Sequence, residues 1–175
     1  VRTGVLDDKA EQWLPRLEDE EKVKAMRTRA EGGTEGDNIQ AMETLGLWYM
    51  LGQHGLQVDH DKGYELLKRG ADLGSVSCMT KAALVLLDQA NQNITSRISH
   101  GVYLLMTAAE EGSAMATTVI AKCHHNGKLG WPIDLAQAKK WYAKVPYASV
   151  HDASKMDIAL AADQVVSLGK QLEQS

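Results

Sequence analysis

Sliding the sequence against itself by 75 residues aligns two segments without a gap. The first reads Ala41-x-x-x-Leu45-Gly46-x-x-Tyr49-x-x-Gly52-x-x-Gly55-x-x-x-Asp59-x-x-x-Gly63. The second reads Ala116-x-x-x-Ile120-Ala121-x-x-His124-x-x-Gly127-x-x-Gly130-x-x-x-Asp134-x-x-x-Ala138. A weaker copy lies between them, with Cys78, Ala82 and Ala83, then Ser96, then Gly101. The ends of the units repeat too, since Arg69 to Gly74 matches Thr107 to Gly112. A chain with this internal periodicity hides its apolar surface by stacking like units, because one unit alone cannot bury its own face.

Each unit reads as a pair of helices. Small residues recur on one face of the first helix, at Ala41, Leu45 and Gly46 and at Cys78, Ala82 and Ala83. A second helix approaches closely along such a stripe. Gly52 and Gly127 stand where the first helix should end, and Gly55 and Gly130 supply positive φ in the loop. Asp59, Ser96 and Asp134 share one repeat position and suit the N-cap of the second helix. Gly74 and Gly112 close that helix. The expected pairs are 37–52 with 59–73, 75–90 with 96–111, and 113–126 with 134–145. The expected organisation is an N-terminal helical segment over 1–36, units over 37–74, 75–112 and 113–148, and a C-terminal helix over 149–175.

Composition agrees with an all-α chain. There are 3 prolines, no phenylalanine and a 44% hydrophobic fraction in 175 residues, which favours helix and excludes a disordered polymer. The net charge of −4, with Lys and Arg scattered, gives no basic stripe for nucleic acid. No apolar run reaches the roughly 18 residues of a membrane span. Cys78 and Cys123 have neither metal-ligand nor CxxC spacing, which favours two buried thiols in a reducing, cytoplasmic setting. Val1 in place of Met reads as a fragment or a processed form. A leader removed before Val1 would leave a periplasmic or organellar setting open.

The pattern Ala-x-x-x-Leu-Gly-x-x-Tyr-x-x-Gly-x-x-Gly, then Asp and Lys, then an Ala-rich helix ending in Gly, resembles the Sel-one-like repeat. This family is a relative of the tetratricopeptide repeat. The resemblance covers roughly residues 37–148 and is closest at Ala41 to Asp59, at Lys62, at Gly130 to Asp134 and at Ala138 to Tyr142. Gln89 and Asn91 to Thr95 depart from it in the middle unit, as does His124, in place of tyrosine, in the third. The cysteine pair that staples each unit in some members is missing. The resemblance implies an α-solenoid, a right-handed superhelix of antiparallel helix pairs with a concave face. It also implies a scaffold or adaptor in protein complexes rather than an enzyme.

Helical phase places Glu43, Leu47 and Met50 opposite the small stripe in the first unit. Their equivalents are Thr80, Leu84 and Leu87, then Thr118, Lys122 and His125. These nine residues are the candidate partner-binding groove, for an extended or helical peptide of another protein. The competing reading packs them against neighbouring helices. The alternative function is a structural subunit or dedicated inhibitor that makes contact through the convex face or the terminal helices. Trp48 and Trp131 are candidate anchors or repeat core, and Tyr49, Tyr103, Trp141 and Tyr142 are expected in the core. His124 and His125 are adjacent and so point to different faces. His54 and His60 read as isolated loop residues beside Asp59 and Asp61. None of these sets suits a metal or acid–base pair, so no catalytic residue, metal or cofactor is expected.

At the ends, residues 7–31 read as two helical stretches separated at Pro15. Glu18 to Glu21 stand at the N-terminus of the second, and Gly32 to Gly36 form a flexible break. Ala153, Met156, Leu160, Val165, Leu168 and Leu172 give the C-terminal helix an apolar face. Both ends read as caps on the array, with docking onto a different domain or chain as the rival for the N-terminal one. Asn93-Ile94-Thr95 has the form of a glycosylation sequon, a triplet that chance often supplies.

Overall fold

The structure, a computed structural model, describes residues 4–88 and 95–145, with side chains described from Trp13 onward. Seven helices and no strand occur among the described residues. They are α1 (Gly4–Gly32), α2 (Glu35–Leu51), α3 (His60–Asp72), α4 (Val76–Asp88), α5 (Thr95–Glu110), α6 (Ala114–Asn126) and α7 (Leu135–Ala143). The fold class is all-α, of the tandem helix-pair type that builds solenoids. Two compact units divide the chain, Val1–Cys78 and Met79–Ser175, and each is described by itself. The expected C-terminal helix over 149–175 and the Asn93 sequon fall outside the described residues, apart from Thr95.

In the first unit, α2 and α3 form the pair read from the repeat. α2 ends at Gly52, whose φ of 65° is left-handed and whose amide donates to the Trp48 carbonyl. A Cβ at this position would meet the Val58 side chain at 3.0 Å, so the turn requires glycine on both counts. The Asp59 side chain then accepts the Lys62 amide at 3.0 Å and starts α3. Gly46 and Gly63 lie at the contact between the two helices, where a Cβ on Gly46 would come within 3.1 Å of the Gly63 carbonyl oxygen. α1 covers the other side of α2. Val23 and Ala30 are buried with Ala41, Met42 and Leu45, and Met26 packs against them. Fully burying side chains of the Val, Leu or Met size contributes about 1.5–3 kcal/mol each.

The second unit repeats these devices. Gly127 has a φ of 64° and donates to Cys123, and the Asp134 side chain accepts the Gln137 amide. Ala114, Ala121, Ala138, Tyr142 and Val145 form the core between α6 and α7. In the α4/α5 pair, a Cβ on Gly101 would meet Leu87 at 2.9 Å and Leu86 at 3.2 Å. Ser113 caps α6 by accepting the Ala116 amide. In the first unit Ser75 accepts the Cys78 amide at 3.2 Å, just ahead of α4.

Four expectations are corrected. α1 is one helix that contains Pro15. A proline removes one intrahelical hydrogen bond and crowds one carbonyl, and the good helix formers on both sides carry the helix through it. Glu18 to Glu21 therefore lie in mid-helix, where the helix dipole offers them nothing. The break at Gly32 to Gly36 shrinks to Gly33 and Thr34, because Glu35 and Gly36 already belong to α2. Ser96 lies inside α5, which starts at Thr95, so it does not occupy the N-cap.

Candidate functional site

Helical geometry sorts the nine groove candidates. Met50 follows Gly46 by four residues, so it shares the face that meets the second helix. A Cβ on Gly63 would lie 2.6 Å from its sulfur. Leu87 stands over Gly101 in the same way. His125, at the same repeat position, meets the Tyr142 ring edge-on at 6.4 Å. These three residues pack within their own helix pairs. Thr80 and Thr118 are only 2% and 5% exposed. The Thr80 hydroxyl lies 2.9 Å from that of Ser113, and Thr118 donates to the Ala114 carbonyl at 2.8 Å. Neither offers side-chain surface to a partner. Glu43 accepts the Ser77 hydroxyl at 3.0 Å, with the Cys78 sulfur at 3.8 Å from its other oxygen. Leu47 in the first unit, and Leu84 and Lys122 in the second, are half-buried.

The first unit opens a cleft of about 370 Å³ among α1, α2 and α3. Leu45, Tyr49 and Leu66 form its apolar part. Arg27, Lys62 and Arg69 supply cations along it, and Glu31, Asp61 and Glu65 supply acids. Tyr49 lines it and gathers the cations. Arg27 donates to the Tyr49 hydroxyl oxygen at 2.7 Å. The Arg27 guanidinium lies 5.9 Å and the Lys62 ammonium 5.6 Å from the tyrosine ring centroid, both within reach of a cation–π attraction. Lys62 also pairs with Asp59 at 2.9 Å. That contact raises the pKa of the ammonium. The Lys62 amide, and then its ammonium, hold the Asp59 carboxyl below its usual range.

Sequence reasoning placed Tyr49 in the core and assigned Arg27 no role. The signal that finds the cleft is long-range, since Arg27 and Tyr49 are 22 residues apart. His54 is not isolated either. Its Nδ1 lies 2.7 Å from the Asp19 carboxylate of α1, and its ring packs against Trp48 at 4.2 Å. The hydrogen bond from His54 lowers the Asp19 pKa. Trp48 packs against the first unit's core. Of the four aromatic residues expected in the core, Tyr142 is buried and Tyr49 and Trp141 pack on a core, but Tyr103 is 65% exposed. Its position on α5 faces away from Gly101, Leu105 and Ala108, the buried residues of that helix.

The second unit carries different chemistry at the equivalent place. His124 stands where Tyr49 does, with its ring stacked on Trp131 at 4.5 Å and 12°. Its Nδ1 is buried without a hydrogen-bond partner, as is the Tyr142 hydroxyl. Burial pushes the Tyr142 pKa up to about 12 and raises that of the Cys123 thiol. Both cysteines are buried. No group of three or more His, Cys, Asp or Glu side chains is placed to hold a metal among the described residues, and none of their helices is long and apolar enough to cross a membrane.

Helix pairs with shared caps and corners define a tandem helical-repeat protein. Comparison with known proteins agrees with this: the Sel1 repeat family model matches residues 39–75 and 114–144, so those two segments are similar to Sel1 repeats. The crystal structure of a Sel1 repeat protein from Oxalobacter formigenes is similar, with a TM-score of 0.56 and 19% identity. The match covers 83% of this chain and 98% of that one. At that identity the likeness speaks for the fold alone. No curated protein matches the chain. Sel1 and related helical repeats generally act as protein–protein interaction scaffolds and are typically non-catalytic.

Proposed function

We propose that the chain is a protein-binding scaffold that receives a segment of its partner in the first-unit cleft. The observation that carries this reading is the cleft itself, lined by apolar Leu45, Tyr49 and Leu66 together with charges of both signs. An apolar centre within a polar rim is the usual anatomy of a protein interface. The surface is already formed by packed helices, which lowers the ordering cost of binding. Leu47, and separately Leu84 and Lys122 in the second unit, add contacts beside helices whose other faces are committed to packing.

A photo-cross-linking residue at Glu65, on the cleft, should capture the partner. The same residue at Lys68, exposed on α3 but outside the cleft, should not. Co-purification of a partner with no adduct at Glu65 would remove the cleft from the interface. Leu84→Glu tests the second-unit contact in the same way, with a drop in partner recovery expected.

A second reading, a subunit held in a larger complex by its terminal helix, is favoured by α1. Trp13, Leu14 and Leu17 are each 54% exposed there, and apolar residues grouped like this mark association surfaces. If Trp13→Glu with Leu17→Glu releases the partner while cleft variants retain it, this reading replaces the first.

A further inference from the structure

Two cations gather at one tyrosine in the first-unit cleft, and only one of them has a carboxylate. Lys62 has Asp59 at 2.9 Å. Arg27 has no carboxylate within ion-pair distance among the described residues, and its one hydrogen bond goes to the Tyr49 hydroxyl oxygen. That hydroxyl accepts from Arg27, so its own proton is available to an outside acceptor. Lys62 retains N–H donors beyond the one directed at Asp59, and the guanidinium retains others. Donors from three side chains thus gather around one ring, and the two cations repel each other. The same repulsion opposes Asp59 by drawing down the proton affinity of Lys62.

We propose that this cleft recognises a carboxylate side chain of the partner, presented beside a large aliphatic residue, so that its ligand is a short acidic–aliphatic peptide segment. The inference rests on the reading that the cleft is the docking site. A carboxylate at the edge of Tyr49 accepts charge-assisted hydrogen bonds from Arg27 and Lys62 and relieves their repulsion. The aliphatic neighbour rests on Leu66 and the tyrosine ring. Glu31, Asp61 and Glu65 line the same cleft, so a polyanion such as nucleic acid meets more repulsion there than a single carboxylate does. Arg69 is then left to pair with Glu65, four residues earlier on α3, or with a second acid of the peptide.

A random peptide library displayed on phage, panned against the full chain, tests this. Recovered peptides are expected to share Asp or Glu next to Leu, Ile or Met, and to react with a photo-cross-linker at Glu65. Converting the shared acid to its amide should weaken binding by about tenfold or more. Arg27→Glu combined with Lys62→Glu should invert the selection towards Lys or Arg at that place. Both residues are exposed, and thermal melting by circular dichroism verifies the fold. Should the double variant melt early, the single variants Arg27→Gln and Lys62→Gln take its place, each expected to weaken binding several-fold. Peptides that cross-link at Glu65 yet lose nothing on amidation overturn the carboxylate inference and leave the docking site standing. Peptides that bind without cross-linking at Glu65 overturn the docking site as well, and an empty selection overturns both.

Discussion

At the corner of the first repeat the Asp59 amide donates to the Tyr49 carbonyl at 2.9 Å, and at the corner of the third the Asp134 amide donates to the His124 carbonyl at 2.9 Å. The agreement continues through the loop. Gln53 to Trp48 and Leu56 to Gln53 in one corner match Lys128 to Cys123 and Trp131 to Lys128 in the other. Val58 sits against Gly52 as Ile133 sits against Gly127. The side chains on this common frame differ. Tyr49 draws two cations and borders an open cleft, whereas His124 lies flat on Trp131. Gly63 lets α2 and α3 meet with no Cβ between them, whereas Ala138 is fully buried between α6 and α7. The difference teaches that the repeat fixes main-chain geometry and leaves the chemistry to each copy.

Substitutions at paired positions test that comparison, starting with the largest effect. Leu67 and Tyr142 occupy one repeat position, and Leu67 is fully buried. Leu67→Ala should cost ~2–5 kcal/mol in a urea melt. Tyr142→Phe should be neutral or stabilising, because it removes a buried hydroxyl that has no partner. A large loss for Tyr142→Phe would show that the hydroxyl is satisfied in solution. Next, Gly63→Ala should cost ~1–3 kcal/mol, since the new Cβ would lie 2.9 Å from the Gly46 carbonyl oxygen. That exceeds the ~1 kcal/mol that replacing a helical glycine by alanine gives in return. Ala138→Gly should cost only ~1 kcal/mol, and equal losses at the two sites would mean that the helix pairs are equally close.

The caps come third. Asp134→Ala should cost ~0.5–2 kcal/mol, and Asp59→Ala more, since it also removes the Lys62 ion pair. The pH dependence separates the two contributions. The Asp59 carboxyl titrates below its ordinary value when folded. Its stabilisation is therefore present above about pH 4, the unfolded value, and is lost as pH falls through the lower folded one. The stability gap between the parent chain and Asp59→Asn should accordingly close in acid, as followed by urea melts at stepped pH. The smallest effect concerns the left-handed residues His54, with φ 54°, and Leu129, with φ 60°, again at one repeat position. Leu129→Asn should gain up to ~1 kcal/mol, because asparagine tolerates this conformation better. His54→Asn should lose stability instead, because it ends the contact with Asp19. Matching signs would break the contrast.

Most of the repeat was legible in the sequence because its determinants are local. A glycine that must turn left-handed and an aspartate that must cap announce themselves at fixed spacing, so Gly52, Gly127, Asp59 and Asp134 were placed correctly. Ser75 and Ser113 cap helices as well, and the signal was present in the serine that directly follows Gly74 and Gly112. Three kinds of feature escaped. Pro15 reads as a boundary in the sequence, although the helix formers around it outweigh one lost hydrogen bond. Met50, Leu87 and His125 were assigned to a groove by counting away from the small stripe, yet they lie one turn beyond Gly46, Ala83 and Ala121 on the same face. The contacts of Tyr49 with Arg27, and of His54 with Asp19, join α1 to the first repeat across 22 and 35 residues. No spacing rule within a unit encodes them.

The corner held by main-chain hydrogen bonds has a further consequence. A bend closed by amides and carbonyls does not depend on which side chains ride on it. Mutation can therefore exchange tyrosine for histidine, or histidine for leucine, without asking the bend to be reinvented. New recognition surfaces can arise by point changes on an inherited corner, one repeat at a time.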